Sequence, residues 1–224
     1  MPMDQNTLKR KKAIELRLQS CGIKDYKISH LPYLDFDPET FATPYEVGCR
    51  IMILQSLTYA VHHDEHRKAI IGWLKKENIW DYVSPKERTF LENGSFDQRV
   101  LSDVSWKIEA AYVLAWALGL ITDLSESCQP MSDDQYDQFE TKVPRVGDEL
   151  AVFLASLQYI SKSNIIDENL FNELATTYFR DIYYSQMKST SNIDKKVSFE
   201  RHVALNWVRR FMDIADWDDT DTST

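Results

Sequence analysis

Apolar residues recur at intervals of three and four along most of the chain, and this spacing predicts helices. Val47, Ile51, Leu54 and Val61 form one such series. No segment sustains the alternation of apolar and polar residues that is typical of strands. The pattern predicts eight or nine helices, drawn from segments at about 5–20, 44–62, 65–77, 85–93, 96–119, 133–140, 146–161, 168–188 and 195–212. Short extended pieces are expected only near residues 27–34.

Two local signals mark where helices begin. Thr43 and Ser84 are each followed at once by a proline and, at the third position after them, by a glutamate. The hydroxyl can accept a hydrogen bond from the first turn while the glutamate reaches back to the N–H of the cap, so both stretches predict capping boxes. The expected fold class is all-α: a single compact multi-helix domain over residues 1–212, built around a central apolar helix at 106–119.

Charge is distributed unevenly along the chain. The net charge is −9, yet residues 1–30 hold seven Lys or Arg against three Asp or Glu, and residues 213–224 hold five aspartates and no basic residue. Residues 213–224 are therefore expected to form an acidic C-terminal tail that packs back on the domain. An acidic protein favours a partner with a basic surface. Nucleic-acid binding needs a basic surface instead and is disfavoured. The N-terminal residues that could still supply one are Lys9, Arg10, Lys11, Lys12 and Arg17.

Cysteine usage and hydropathy point to a cytoplasmic protein. Cys21, Cys49 and Cys128 are far apart and show no metal-ligand spacing, which is typical of reduced thiols. The N-terminus has no apolar stretch of the kind that secretory signals contain. The longest apolar run, residues 110–121, is 12 residues long, which suits a buried helix and is too short for a membrane span. No membrane association is expected.

Two carboxylates lie on helix faces that are otherwise apolar, and each is a candidate binding residue. Glu109 shares a face of the central helix with Trp106, and Glu200 shares a face of the last helix with Trp207. Burying an ionised carboxylate is costly unless it is paired. The cations that could pair with them are Arg201 and Arg50.

These charged residues allow two interpretations. A buried Glu–Arg network that locks helices together is favoured, because structural ion pairs of this kind also shift carboxyl pKa values without any function. The alternative is a small polar pocket that holds an anionic ligand, in which Glu109 would act as a general acid or base. Under the favoured interpretation no residue is catalytic.

Neither the histidines nor the C-terminal aspartates predict a metal site. His62 and His66 have the spacing that can place two imidazoles on one zinc ion, but no further Cys or His follows at ligand spacing. The tail lacks the glycine and the glutamate of an EF-hand loop. We expect a solvated histidine cluster, with no metal and no cofactor.

The tail nevertheless contains a large aromatic residue. Trp217 stands between Asp216 and Asp218. An exposed tryptophan is unusual unless it meets a partner or packs back on the protein. We expect Trp217 to anchor the tail, and we include Trp217 and Asp218 among the candidate binding residues.

Several stretches spread over nearly the whole chain together resemble one family. They are a basic first helix followed by His30-Leu31-Pro32, and residues 46–50, 73–93, 105–121, 199–208 and 217–222. On these stretches the chain resembles the bacterial family known as domain of unknown function 4272. The resemblance implies a single helical cytoplasmic domain, and it brings no established activity and no catalytic residues.

One element departs from that family's pattern. Family members carry a Tyr-Arg and then a His-Trp pair before the final helix. Here Tyr178 and Arg180 match its start, but Ile182 and Tyr183 stand at the histidine and tryptophan positions. If that histidine serves catalysis in relatives, this chain lacks it, which favours a role without catalysis.

The sequence therefore favours a non-catalytic protein-interaction module that binds a basic protein partner, such as an immunity-type protein or a subunit of a complex. The alternative is a small-molecule-binding protein or a hydrolase-type enzyme with a Glu/Arg pocket. A nucleophile elbow, a phosphate-binding loop and a dinucleotide-binding glycine motif are all missing from the chain, which disfavours that alternative.

Overall fold

The computed structural model describes residues 5–24, 40–94, 96–124 and 128–222. Over these ranges the chain forms ten α-helices and no strand, so the expected all-α class is confirmed. The helices are α1 (Gln5–Ser20), α2 (Pro44–His62), α3 (Arg67–Lys76), α4 (Pro85–Glu92), α5 (Gln98–Ser105), α6 (Lys107–Ala117), α7 (Asp133–Lys142), α8 (Ala151–Ser156), α9 (Lys162–Tyr184) and α10 (Lys195–Val208). Residues 27–34, where extended pieces were expected, lie outside the described residues.

Both predicted capping boxes are confirmed. At the start of α2, the Thr43 hydroxyl accepts from the N–H of Glu46 at 3.2 Å, and the Glu46 carboxylate accepts from the N–H of Thr43 at 2.6 Å. Ser84 and Glu87 make the same pair of hydrogen bonds at the start of α4, at 2.9 and 3.4 Å. Each box satisfies two backbone N–H groups that a helix start leaves without a partner.

α6 lies between α2 and α10 and is buried along most of its length. Its residues from Glu109 to Ala115 are all buried, as expected for a helix that is apolar around its whole circumference. α9 packs on the other side of α10, and α1 packs on α9. A large apolar core joins α2, α3, α4, α6 and α10, and a smaller one lies between α1, α9 and the start of α10.

Three predicted helices differ from the structure in their extent. The predicted helix 96–119 is two helices, because the chain turns at Trp106 from the surface helix α5, which has no buried residue, into the buried helix α6. Of the predicted helix 146–161, only the residues of α8 are helical. The part before α8 begins with a turn closed by hydrogen bonds between Arg145 and Asp148. The helix predicted at 168–188 begins six residues earlier, at Lys162.

The last predicted helix is also shorter than expected. α10 ends at Val208, and the backbone turns left-handed at Arg210 and again at Met212 and Asp213. Among the described helices, none combines the length and the apolar character that crossing a bilayer would require.

Candidate functional site

Glu109 and Arg201, predicted to be partners, lie together in the sealed interior. Arg201 Nη2 is 3.9 Å from Glu109 Oε2, with side-chain exposures of 1% and 3%. Glu109 Oε1 accepts from the N–H of Met131 at 2.7 Å. Burial raises the pKa of Glu109, against the opposing effects of the Met131 N–H and the Arg201 charge. A carboxyl group enclosed in this way holds helices together and cannot meet a substrate from solution.

This pair continues into a chain of buried polar contacts. Arg201 Nη1 donates to the thiol of Cys128 at 3.7 Å, and that thiol donates to Asn172 at 3.3 Å. Asn172 donates to Glu168 at 2.8 Å, and Glu168 pairs with Arg17 at 2.5 Å. The contacts join α10, α9 and α1, and the alternation of charges offsets the cost of burying them. Burial raises the pKa of the Cys128 thiol to about 12, so this cysteine stays protonated.

The other predicted residues of this group do not join it. Glu200 does not pair with Arg201; its carboxylate accepts from Lys107 Nζ at 2.8 and 3.1 Å. Trp106 is partly buried and packs against the smaller core. Arg50 does not reach Glu109 and lies elsewhere in the protein.

Arg50 belongs to a second cluster, together with three residues that the sequence singled out near the C-terminus. The Trp217 ring is 8% exposed and contacts the Trp207 ring edge-on, with centroids 5.6 Å apart. The Arg50 guanidinium lies 4.7 Å from the Trp217 ring centroid. Asp218 accepts from the Ser84 hydroxyl at 2.7 Å and from the N–H of Lys86 at 2.9 Å. The segment around Trp217 is thereby held across the start of α4.

A cleft of about 360 Å³ opens beside this cluster, and three arginines line it. Arg50 pairs with Glu87 at 2.6 Å, and Arg210 pairs with Glu46 at 2.7 Å. Arg88 donates to two backbone carbonyls at 2.9 and 3.0 Å. Because protein acceptors already engage each guanidinium, the cleft offers little attraction for an anionic ligand.

A larger open cavity, of about 450 Å³, lies between α2, α6 and α7, and no residue predicted from the sequence as a binding residue lines it. Eight of its lining residues carry polar or ionisable groups: Gln55, Thr58, Tyr59, His62, His63, Tyr136, Glu140 and Arg145. The volume is within the range of ordinary small-ligand sites. It also suffices for one long side chain of a protein partner.

The chemistry of this cavity favours hydrogen-bond donors and cations. Gln55 Oε1 is buried and has no hydrogen-bond partner among the described residues, so it is an acceptor that lacks a donor. Glu140 is partly exposed, lies 3.7 Å from Arg145 and also interacts with the Tyr136 hydroxyl. Tyr59 and Tyr136 supply aromatic rings to the walls. Rings and carboxylates are the groups that a cationic side chain prefers.

The surface beside the cavity is strongly acidic. α7 contacts the core through Phe139, which is fully buried, while Asp133, Asp134 and Asp137 are exposed and Tyr136 is 42% exposed. This surface could have been predicted from the sequence. In the stretch from Asp133 to Glu140, Phe139 is the residue typical of a core, and it stands among many carboxylates. The cavity itself depends on how α7 is placed relative to α2 and α6, which residue spacing along any one helix does not reveal.

The histidine run at the end of α2 is arranged differently from the i, i+4 pair considered above. His62 lines the cavity, but the side chains that converge are His63, Glu65 and His66. Their nitrogen and oxygen atoms all lie within 4.8 Å of one another.

The sequence pattern of the family described as "Domain of unknown function (DUF4272)" matches residues 10–220. The chain therefore belongs to this family, as its sequence stretches suggested. Comparisons with curated proteins and with solved structures found no match. Tyr183 is 78% exposed on the last turn of α9.

Proposed function

We propose that this protein is a non-catalytic binding protein that recognises a basic segment of a protein partner. The surface that would bind it is the acidic face of α7, formed by Asp133, Asp134 and Asp137, together with the adjacent cavity between α2, α6 and α7. The observation that carries the proposal is this combination of exposed carboxylates and an adjacent cavity lined by aromatic rings.

Electrostatics favour a basic partner at this surface. The segment 133–149 holds six carboxylates against two basic residues, Lys142 and Arg145, in a protein whose net charge is −9. Such a concentration of one charge steers an oppositely charged partner and raises its association rate. A charge field alone is unspecific, however, and a specific complex needs an anchor that enters a desolvated pocket.

The cavity can provide that anchor site. A lysine or arginine side chain entering it would meet the Tyr59 and Tyr136 rings and the Glu140 carboxylate. Cation–π contacts of this kind contribute roughly 0.5–2 kcal/mol. The partner's backbone would then lie along α7, where its other basic residues face the three aspartates.

The tail is a poorer candidate for the same role. Its one large apolar side chain, Trp217, is already buried against Trp207 and Arg50. The sealed position of Glu109 and Arg201 likewise gives no support to the alternative of an enzyme with a Glu/Arg pocket.

The proposal can be tested with a labelled peptide of alternating arginine and serine, titrated by fluorescence anisotropy at two salt concentrations. We expect the variant D133N/D134N/D137N to bind about tenfold more weakly than the unchanged protein, because it loses three facing charges. Y136A should weaken binding without changing the net charge.

The matched control is E92Q/D181N/D219N. It removes the same three charges from exposed positions on other surfaces. Equal losses of peptide affinity in the two triple variants would mean that binding depends only on the overall charge of the protein. That result would refute the proposed surface. Melting temperatures of both variants report whether either charge change affects the fold.

A further inference from the structure

Three side chains at the end of α2 converge on one point. The Glu65 carboxylate oxygen Oε1 is 3.8 Å from His63 Nδ1 and also 3.8 Å from His66 Nε2. His63 follows α2 directly, and the other two residues lie on the short 3-10 turn Asp64–His66. His63 and His66 are three residues apart, a spacing that brings both side chains onto the same side of the turn.

Two imidazoles and one carboxylate form an established ligand set for divalent transition metals. A tetrahedral zinc ion with bonds of about 2.0–2.2 Å holds its ligand atoms roughly 3.3–3.6 Å apart. The two distances of 3.8 Å are close to that spacing. All three ligand atoms lie within 4.8 Å of one another. The three side chains are 45%, 68% and 49% exposed, so they have room to rotate towards one ion.

Tyr59 contacts both imidazoles. The Tyr59 hydroxyl lies 2.9 Å from His66 Nδ1, so that nitrogen has a hydrogen-bond partner while Nε2 points to Glu65. The Tyr59 ring lies 4.4 Å from the His63 ring and 5.8 Å from the His66 ring, and the two imidazoles stack at 5.6 Å with 16° between their planes. Metal-ligating histidines commonly use the second ring nitrogen in this way, which fixes the tautomer and the ring orientation.

We propose that His63 Nδ1, Glu65 and His66 Nε2 form a site for one divalent transition-metal ion, with Tyr59 as the residue that positions His66. Three protein ligands leave a fourth tetrahedral position for water or for a further ligand. His63 also lines the 450 Å³ cavity, so this open position lies beside that cavity. The inference does not depend on the proposed function, because it rests on the ligand atoms and not on the acidic face of α7.

The test uses the full chain without an affinity tag, first treated with a chelator and dialysed. Zn²⁺ is titrated by isothermal titration calorimetry, and Co²⁺ is titrated by visible absorption, which reports tetrahedral coordination. We expect one ion per chain. The H66Q and H63Q variants should each abolish this binding, and Y59F should weaken it by about tenfold.

H62Q is the matched control, because His62 adjoins His63 in sequence but does not belong to the converging group. It should leave the affinity for Zn²⁺ unchanged. Binding that survives in H63Q/H66Q would place the ion elsewhere and overturn the inference, as would the absence of Zn²⁺ binding to the unchanged protein. Thermal melting of each variant without metal shows whether the substitution disturbs the fold, and E65Q provides a second variant if either histidine substitution does.

Discussion

The guanidinium of Arg50 donates from Nη1 to both carboxylate oxygens of Glu87, at 2.6 and 2.8 Å, and both side chains are almost fully buried. The same guanidinium donates from Nη2 to the carbonyl of Tyr82 at 2.7 Å and lies over the Trp217 ring. Glu87 in turn completes the capping box of α4. One ion pair therefore connects α2, the start of α4 and the C-terminal segment.

Removing the cation of this pair should destabilise the protein strongly. R50M leaves the Glu87 carboxylate buried without its charge partner, and breaking buried pairs in this way costs about 3–5 kcal/mol of unfolding free energy. Urea denaturation measures the change. The control is R145M, since the contact of Arg145 with Glu140 is 3.7 Å long and Arg145 is 73% exposed, so this substitution should cost less than about 1 kcal/mol. Similar losses in the two variants would contradict the structural role of Arg50.

Trp217 should control whether the C-terminal segment stays attached. W217A removes the ring that packs against Trp207 and Arg50, and truncating a buried tryptophan costs about 3–5 kcal/mol. Because the segment after Asp213 is rich in aspartate, a protease that cleaves before aspartate should cut it faster in W217A. W217F keeps an aromatic ring at the site, so its cleavage rate should lie between those of W217A and the unchanged protein. An unchanged cleavage rate in W217A would mean that other contacts, such as those of Asp218, suffice to hold the segment.

Local features of the fold were predictable from the sequence, while long-range pairings were not. The boxes at Thr43 and Ser84 depend on residues three positions apart, and the burial of α6 follows from its uninterrupted apolar composition. Arg50 is different, because its partner Glu87 lies 37 residues away and both could have been paired with other charges. The same reason explains why Glu200 was expected to meet an arginine and instead meets Lys107.

The cavity and the histidine cluster were not predictable for a related reason. Residues of α2, α6 and α7 line the cavity, and the distances between helices are set by their buried side chains and not by the residues that line the gap. The convergence of His63, Glu65 and His66 depends on a 3-10 turn that begins directly after α2. Helical spacing allows His66 to pair with either His62 or His63, so spacing alone does not choose between them.

Replacing each of two helical glycines by alanine should change the free energy of unfolding in opposite directions. A Cβ atom on Gly48 would lie 2.3 Å from Leu157 Cδ1 and 2.7 Å from Leu154 Cδ2, so G48A forces these leucines apart and should cost about 1–3 kcal/mol. A Cβ atom on Gly72 would meet no atom within 4 Å, so G72A should stabilise α3 by about 0.5–1 kcal/mol. Urea denaturation of both variants checks the two signs. A stabilising effect of G48A would mean that α2 and α8 are less closely packed than the structure indicates.

Two buried ionisable groups between α9 and α10 should make stability depend on pH in opposite directions. Burial raises the pKa of Glu173 from 4.5 to about 7, and its carboxylate oxygens have no hydrogen-bond partner among the described residues. Burial, together with the nearby charges of Arg180 and Arg209, lowers the pKa of His202 from 6.5 to about 3. The folded protein therefore keeps Glu173 protonated at pH values where the unfolded chain ionises it. It also keeps His202 neutral at pH values where the unfolded chain protonates it.

The signs follow from these two shifts. Between pH 5 and pH 8 the unfolded chain ionises Glu173 more readily than the folded protein does, so this residue lowers stability by about 2–3 kcal/mol as the pH rises. His202 has the opposite effect on the free energy of unfolding. Its stabilising contribution is complete above about pH 7, and acidification to pH 5 lowers the free energy of unfolding by about 2 kcal/mol. In E173Q the unfolding free energy should therefore increase from pH 5 to pH 8, and in H202Q it should decrease. Urea denaturation at unit steps of pH measures both profiles, and parallel profiles in the two variants would show that these groups are not the ones that titrate.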